Sequence, residues 1–206
     1  MKIRWKTNNK RFRKYILSVV ACMVMPFTMQ AIVQVAAQES YRECVSEPVV
    51  DDNIKEYVRD YQMSVAKSLV KAGFEVEMMR HREVIVVIIP THRLFTPGSD
   101  DLSPKGVRRL HSVVPYLGAH GLYKIVVAGY ADNTGSPAYC LKRSGKQAMI
   151  VADWLRGNTE ISDIVEFGMG SESPLLPNNT VANRAINRRI EILLVPAEGL
   201  LSRAGR

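Results

Sequence analysis

The chain has 206 residues, 47% of them hydrophobic, with 28 basic and 20 acidic side chains and a formal charge of +8. The hydrophobic share suits a globular domain with a core. Seven of the bases (Lys2, Arg4, Lys6, Lys10, Arg11, Arg13 and Lys14) fall in residues 1–37, which hold no acid. The remaining 21 bases face 20 acids, so the body of the protein is nearly neutral, and nucleic acid is excluded as a partner on composition.

The basic start runs into an apolar stretch, Tyr15 to Phe27, and then into small residues ending Val35-Ala36-Ala37. A basic segment, an apolar segment and a small-residue site describe a secretory signal peptide over 1–37, with Gln38 as the mature N-terminus. The same run also reads as an uncleaved membrane anchor, and Val19-Val20-Ala21-Cys22 resembles a lipoprotein box. Each reading implies export. After cleavage Cys44 and Cys140 remain; an exported compartment permits their pairing, and their separation leaves it open.

Residues 38–52 are polar and without period, which predicts a tether. Residues 53–82 hold an amphipathic helix and the first strand of a hairpin. The helix carries Ile54, Tyr57, Val58, Tyr61, Val65 and Leu69 on one face, with Gly73 as its stop. That face, 54–69, is also a candidate surface for an envelope protein partner. Phe74-Glu-Val-Glu-Met alternates, and Val84-Ile-Val-Val-Ile-Ile reads as a strand buried on both sides. Ser103-Pro104 and Ser136-Pro137 each open a helix, serine as N-cap and proline in the first turn. Strands follow at Tyr123 to Ala128, Ile164 to Phe167 and Arg189 to Val195, with a polar tail over 197–206. The order from Glu83 to Pro196 is βαβαββ, which predicts an α/β sandwich with helices packed on one face of a mixed sheet.

Nothing in these residues assembles a reaction centre. His81, His92, His111 and His120 share no ligand spacing, and Asp132 has no second carboxylate in its motif to divide acid and base roles. Gly168-Met-Gly lacks the third glycine and the following helix of a phosphate cradle. The expectation is no enzyme, no metal and no cofactor.

Three stretches in register resemble the OmpA-like family of peptidoglycan-associating domains. They are Leu94-Phe95 with Leu102-Ser-Pro-Lys-Gly, then Val127-Ala-Gly-Tyr-Ala-Asp-Asn-Thr-Gly-Ser-Pro-Ala-Tyr, then Gly168-Met-Gly-Ser-Glu-Ser-Pro through Asn183-Arg-Ala-Ile-Asn-Arg-Arg-Ile-Glu-Ile. The second is similar to the family's Gly-His-Thr-Asp-x-x-Gly-Ser-x-x-Tyr-Asn, and the third to its Gly-Arg-Ala-x-Asn-Arg-Arg-Val-Glu-Ile. The resemblance covers residues 83–196. It implies a non-catalytic periplasmic domain, associated with the outer membrane or the wall, that grips peptidoglycan.

The ligand implied is a diaminopimelate-type stem peptide, which presents an ammonium and a carboxylate side by side. An acid and a base held rigidly would meet both with charge-assisted hydrogen bonds. The family's aspartate falls on Asp132, at a strand end where open α/β sheets bind ligands, and Asn133 and Thr134 share its turn. The family's arginine, from Leu-Ser-x-x-Arg-Ala, falls on Gln147, which has neither charge nor guanidinium fork. Tyr130, Ala131 and Cys140 replace the family's histidine, threonine and asparagine. Arg143, one turn before Gln147, reaches the same helix face. Alternation places Arg188 and Arg189 on opposite faces; either one of them anchors the Gly168 to Thr180 loop near Asp132 or both form ion pairs that support the fold, and Arg189 joins the candidate set. The departure at Gln147 carries a second reading: a structural or protein–protein module of the envelope that has lost peptidoglycan binding.

Overall fold

The computed structural model describes residues 4–5, 29–118 and 121–206. Its strands are β1 (Arg4–Trp5), β2 (Glu75–Met79), β3 (Val84–Pro90), β4 (Tyr123–Tyr130), β5 (Ile164–Gly168) and β6 (Arg189–Pro196). Its helices are α1 (Met29–Ser46), α2 (Lys55–Lys71), α3 (Pro104–Val113), α4 (Pro137–Asn158), α5 (Val181–Asn187) and α6 (Glu198–Ala204). The sheet order is β1-β2-β3-β6-β4-β5. The last strand therefore lies in the middle, antiparallel to β3 and β4, while α4 makes the crossover between parallel β4 and β5. This is the mixed α/β fold expected from the order of elements.

Alternation along the central strand divides the core in two. Ile190, Ile192 and Leu194 face α2, α3, α4 and α6, and join Val58, Leu69, Leu110, Val151, Leu155 and Leu200, all fully buried. Burying a side chain of this size contributes roughly 1.5–3 kcal/mol over leaving it in water. Leu193 and Val195 face the other way and pack with Val84, Val86, Val126 and Ala128. The helix starts follow the sequence signals, Ser103 Oγ accepting from Gly106 N–H at 3.0 Å and Ser136 Oγ from Tyr139 N–H at 3.2 Å.

Two stretches without period are helical here. Met29–Ser46 forms α1, so 38–46 is not extended, and Tyr41, Cys44 and Val45 pack on the second sheet face. Three contact side chains are too few to write a 3.6-residue period, which is why the stretch reads as polar. Arg80 fastens its end, donating to the carbonyls of Val45 at 3.0 Å and Pro48 at 2.6 Å. The second stretch is 197–206: Glu198–Ala204 is α6, and its Leu200 is wholly buried. The basic and apolar residues 6–28 of the expected signal peptide lie outside the described residues. A cut after Ala37 would fall within α1 and leave Tyr41, Cys44 and Val45 in place. Among the described residues no helix is long and apolar enough to cross a membrane, and Cys44 and Cys140 are free thiols.

The face of α2 is the expected one but for one residue: Ile54, Val58, Tyr61, Val65 and Leu69 pack on the core, and Tyr57 does not. Val58, Gln62, Ala66 and Leu69 are buried against the protein's own sheet, and Tyr57 is 47% exposed. Gln62 belongs to the stripe because its amide is matched: it donates to Glu83 O at 2.7 Å and accepts from Tyr123 Oη–H at 2.9 Å. The apolar side once available to a partner is thus covered from within.

The close approach of β4 to α4 fixes everything that follows Tyr130. A Cβ on Gly129 would stand 2.1 Å from Ser144 O, so this strand position accepts no side chain. One on Gly145 would meet Gly168 Cα at an ordinary 3.7 Å. Gly129→Ala should lower stability by at least about 2 kcal/mol, while Gly145→Ala should raise it by up to about 1 kcal/mol through helix propensity. Thermal melts of the two variants against wild type check both signs.

Candidate ligand site at the strand ends

Beyond Tyr130 the chain turns through residues 131–136 into α4, and the turn is pinned from several sides. Ala131 N–H donates to Gly170 O at 2.8 Å, and Gly170 N–H to Ser144 Oγ at 3.0 Å. The Cys140 thiol donates to Asp132 O at 3.3 Å, and burial, with the Asp132 charge next, pushes its pKa up. Within this frame Asp132 Oδ1 accepts from Thr134 N–H at 2.9 Å, and Oδ2 takes an ion pair from Arg188 Nη1. The carboxylate is nearly covered, at 6% side-chain exposure, whereas Arg188 keeps 38%. Burial alone would raise the Asp132 pKa; the bonds from Thr134 and the Arg188 guanidinium outweigh it and hold the group below the ordinary carboxylate range.

Arg188 is presented by its neighbour. Asn187 is fully buried and its amide organises the preceding loop: it accepts from Leu175 N–H at 2.9 Å and Leu176 N–H at 3.0 Å, and donates to Leu176 O at 2.7 Å and Asn178 Oδ1 at 2.8 Å. Arg189 points to the opposite sheet face, beneath α1. Its Nε donates to Glu191 Oε1 at 2.8 Å, Nη1 to Asn187 O at 3.1 Å and Nη2 to Ser173 O at 3.2 Å. Its guanidinium carbon lies 3.7 Å from the Tyr130 ring centroid. Arg189 is therefore the loop anchor, 2% exposed, and Arg188 is the arginine at Asp132. Strand alternation had separated the two; the burial that assigns their roles needed the covering α1.

Gln147 is buried but does not meet Asp132. Its Nε2 donates to Asp100 Oδ1 at 3.1 Å, and the same carboxylate faces Lys146 Nζ at 3.2 Å and Arg143 Nε at 3.6 Å. Gln147 stands two turns along α4 from Cys140, about 10 Å along the axis. The side chains of Asn133 and Thr134 are exposed. The predicted residues thus form two neighbouring clusters on one flank of α4: Asp132 with Arg188, and Asp100 with Arg143, Lys146 and Gln147. Arg188 was named only beside Arg189 and not as a site residue, and Asp100 was missed. The Asn187-Arg188-Arg189 run signalled the first; Asp100, in an irregular loop, left no pattern beyond being an acid.

The matches to known proteins follow this geometry. The OmpA family model matches residues 94–188, from the loop after β3 to the arginine at Asp132. Residues 94–188 are an OmpA family domain. The family is structural and non-enzymatic. Probable lipoprotein YiaD of Escherichia coli is 30% identical over 140 residues, 66% of this chain and 64% of that protein. Peptidoglycan-binding protein ArfA of Mycobacterium tuberculosis is 37% identical over 100 residues, 47% of this chain and 31% of that protein. The chain therefore spans less than two thirds of the length of these curated relatives. Among solved structures, the cell wall anchor of the T6SS from Pseudomonas aeruginosa superposes with a TM-score of 0.57 at 25% identity, covering 67% of this chain and 99% of that one.

The ionised Asp132 has a consequence for stability. Its folded pKa lies below its unfolded value, so its contribution is complete above the unfolded pKa, near 4, and disappears as pH falls through the folded value. Asp132→Asn should therefore melt below wild type at neutral pH, and the gap should close in acid, below about pH 4. Melting curves of both proteins from pH 7 to pH 2.5 measure it.

Proposed function

We propose that this domain binds peptidoglycan non-covalently through its stem peptide, anchoring the protein to the wall in the periplasm. The carrying observation is the Asp132–Arg188 pair: an ionised, covered carboxylate beside a half-exposed guanidinium, each on a hydrogen-bonded loop. Such a pair complements a zwitterion. The ammonium of diaminopimelate replaces the guanidinium at Asp132, and Arg188 turns to the adjoining carboxylate, so two charge-assisted bonds form for the one given up. Asn133 and Thr134 rim the site, and Arg143 and Gln147 flank it from α4. Support comes from ArfA, named a peptidoglycan-binding protein, and from the wall anchor whose fold this chain shares. YiaD, named a probable lipoprotein, is consistent with the membrane-proximal location. An exported chain beginning at Gln38 is part of this reading.

The test is sedimentation with purified sacculi. Wild type co-sediments, and Asp132→Asn and Arg188→Gln each weaken binding about tenfold or more, the loss of one charge-assisted bond. Melting midpoints above the assay temperature show that the variants are folded. Wild-type binding that survives both substitutions, or no wild-type binding at all, contradicts the reading and leaves a structural module of the envelope.

A further inference from the structure

The flank of α4 beside Asp132 carries an aromatic ring that the stem-peptide site does not use. Tyr139, in the first turn, is 52% exposed. Its position is nonetheless fixed. A Cβ on Gly135 would stand 2.9 Å from Tyr139 Cδ1, so the ring lies against the bare Gly135 backbone, which at φ +106° favours glycine in any case. At the far end, Arg143 Nη1 donates to Tyr139 Oη at 3.3 Å. The next residue, Cys140, is the one whose thiol bonds to Asp132 O and to Thr134 O at 3.6 Å. The ring is therefore attached to the same turn that holds Asp132, supported at two points, with its outer side open to water. Tyr57, another exposed aromatic among the described residues, belongs to α2.

An exposed, immobilised tyrosine is matched by a flat ligand with an apolar face and a polar edge. Peptidoglycan supplies one next to its stem peptide. Diaminopimelate is the third residue of the stem, so the hexosamine that bears the peptide lies two residues away, on the order of 7–10 Å of extended chain. The pyranose ring offers a C–H face for stacking, and its N-acetyl and hydroxyl oxygens accept hydrogen bonds of the kind Arg143 can give. We infer that Tyr139 is a glycan subsite, stacking on the hexosamine ring that carries the stem peptide held at Asp132. The inference rests on the stem-peptide reading and adds to it the recognition of sugar and peptide together.

Two soluble probes separate the two claims: a diaminopimelate-containing tripeptide, and the same tripeptide on its disaccharide. Titrated into the full chain, the disaccharide form should bind wild type about fivefold or more tightly than the bare tripeptide. Tyr139→Ala should abolish that difference and leave the tripeptide affinity as it was, while Tyr139→Phe, which keeps the ring, should retain it. If Tyr139→Ala weakens both probes equally, or if wild type does not distinguish them, the glycan subsite is overturned and the stem-peptide site stands. If neither probe binds wild type, the stem-peptide site falls and the subsite with it.

Discussion

A guanidinium taken out of water must have its charge and its N–H groups met, and Arg189 imposes that requirement on most of the domain. Its partners come from separate places: Glu191 two residues along its own strand, the backbone of Asn187, the Ser173 carbonyl of the loop after β5, and the ring of Tyr130 at the end of β4. Removing one member of such a buried pair typically costs about 3–5 kcal/mol. Register between β6 and β4 is therefore fixed at the sheet end where the loops converge, with Tyr130 opposite Arg189. The residue before Arg189 must then face the other way. Arg188 is aimed at Asp132 because Arg189 is committed elsewhere.

The same requirement gives α1 a purpose. Tyr41 reaches the buried end of the second sheet face, where its hydroxyl and that of Tyr130 are hydrogen bonded, and burial raises both pKa values. Its ring stands edge-on to Phe167 at 5.6 Å. Without this cover the Arg189–Glu191 pair would lie open to solvent, and the sheet would expose Val84, Val86 and Val126. The segment ahead of the OmpA family match is thus part of the working fold, although residues 94–188 carry the family pattern.

The fold was legible because β3 and β4 are mostly apolar runs and the two helices of the βαβαββ order open on Ser-Pro caps. Asp132 was legible because a strand end followed by Asp-Asn-Thr-Gly is a local pattern. Arg188 and Asp100 were not, since their roles depend on contacts 56 and 47 residues away in sequence, and no local period encodes such a separation. The face of α2 was legible except at Tyr57, which is exposed, and at Gln62, which counts as polar in any hydrophobic scan yet is buried with its hydrogen bonds made. Residues 38–46 and 198–204 were hidden for a related reason: they contribute few buried side chains each.

Asp132 and Arg188 satisfy each other in the free protein, so on the proposed reading a ligand would act on the site by exchanging partners at an existing ion pair. Binding should consequently be felt most at the groups that hold the pair. A titration of ¹⁵N-labelled protein with a diaminopimelate-containing tripeptide, followed by amide and guanidinium NMR shifts, reads this directly. The largest changes should fall on the Thr134 amide, which bonds to Asp132, and on Arg188, with Arg189 and Glu191 little moved. A bound tripeptide that leaves Thr134 and Arg188 unshifted while perturbing another surface would contradict the account.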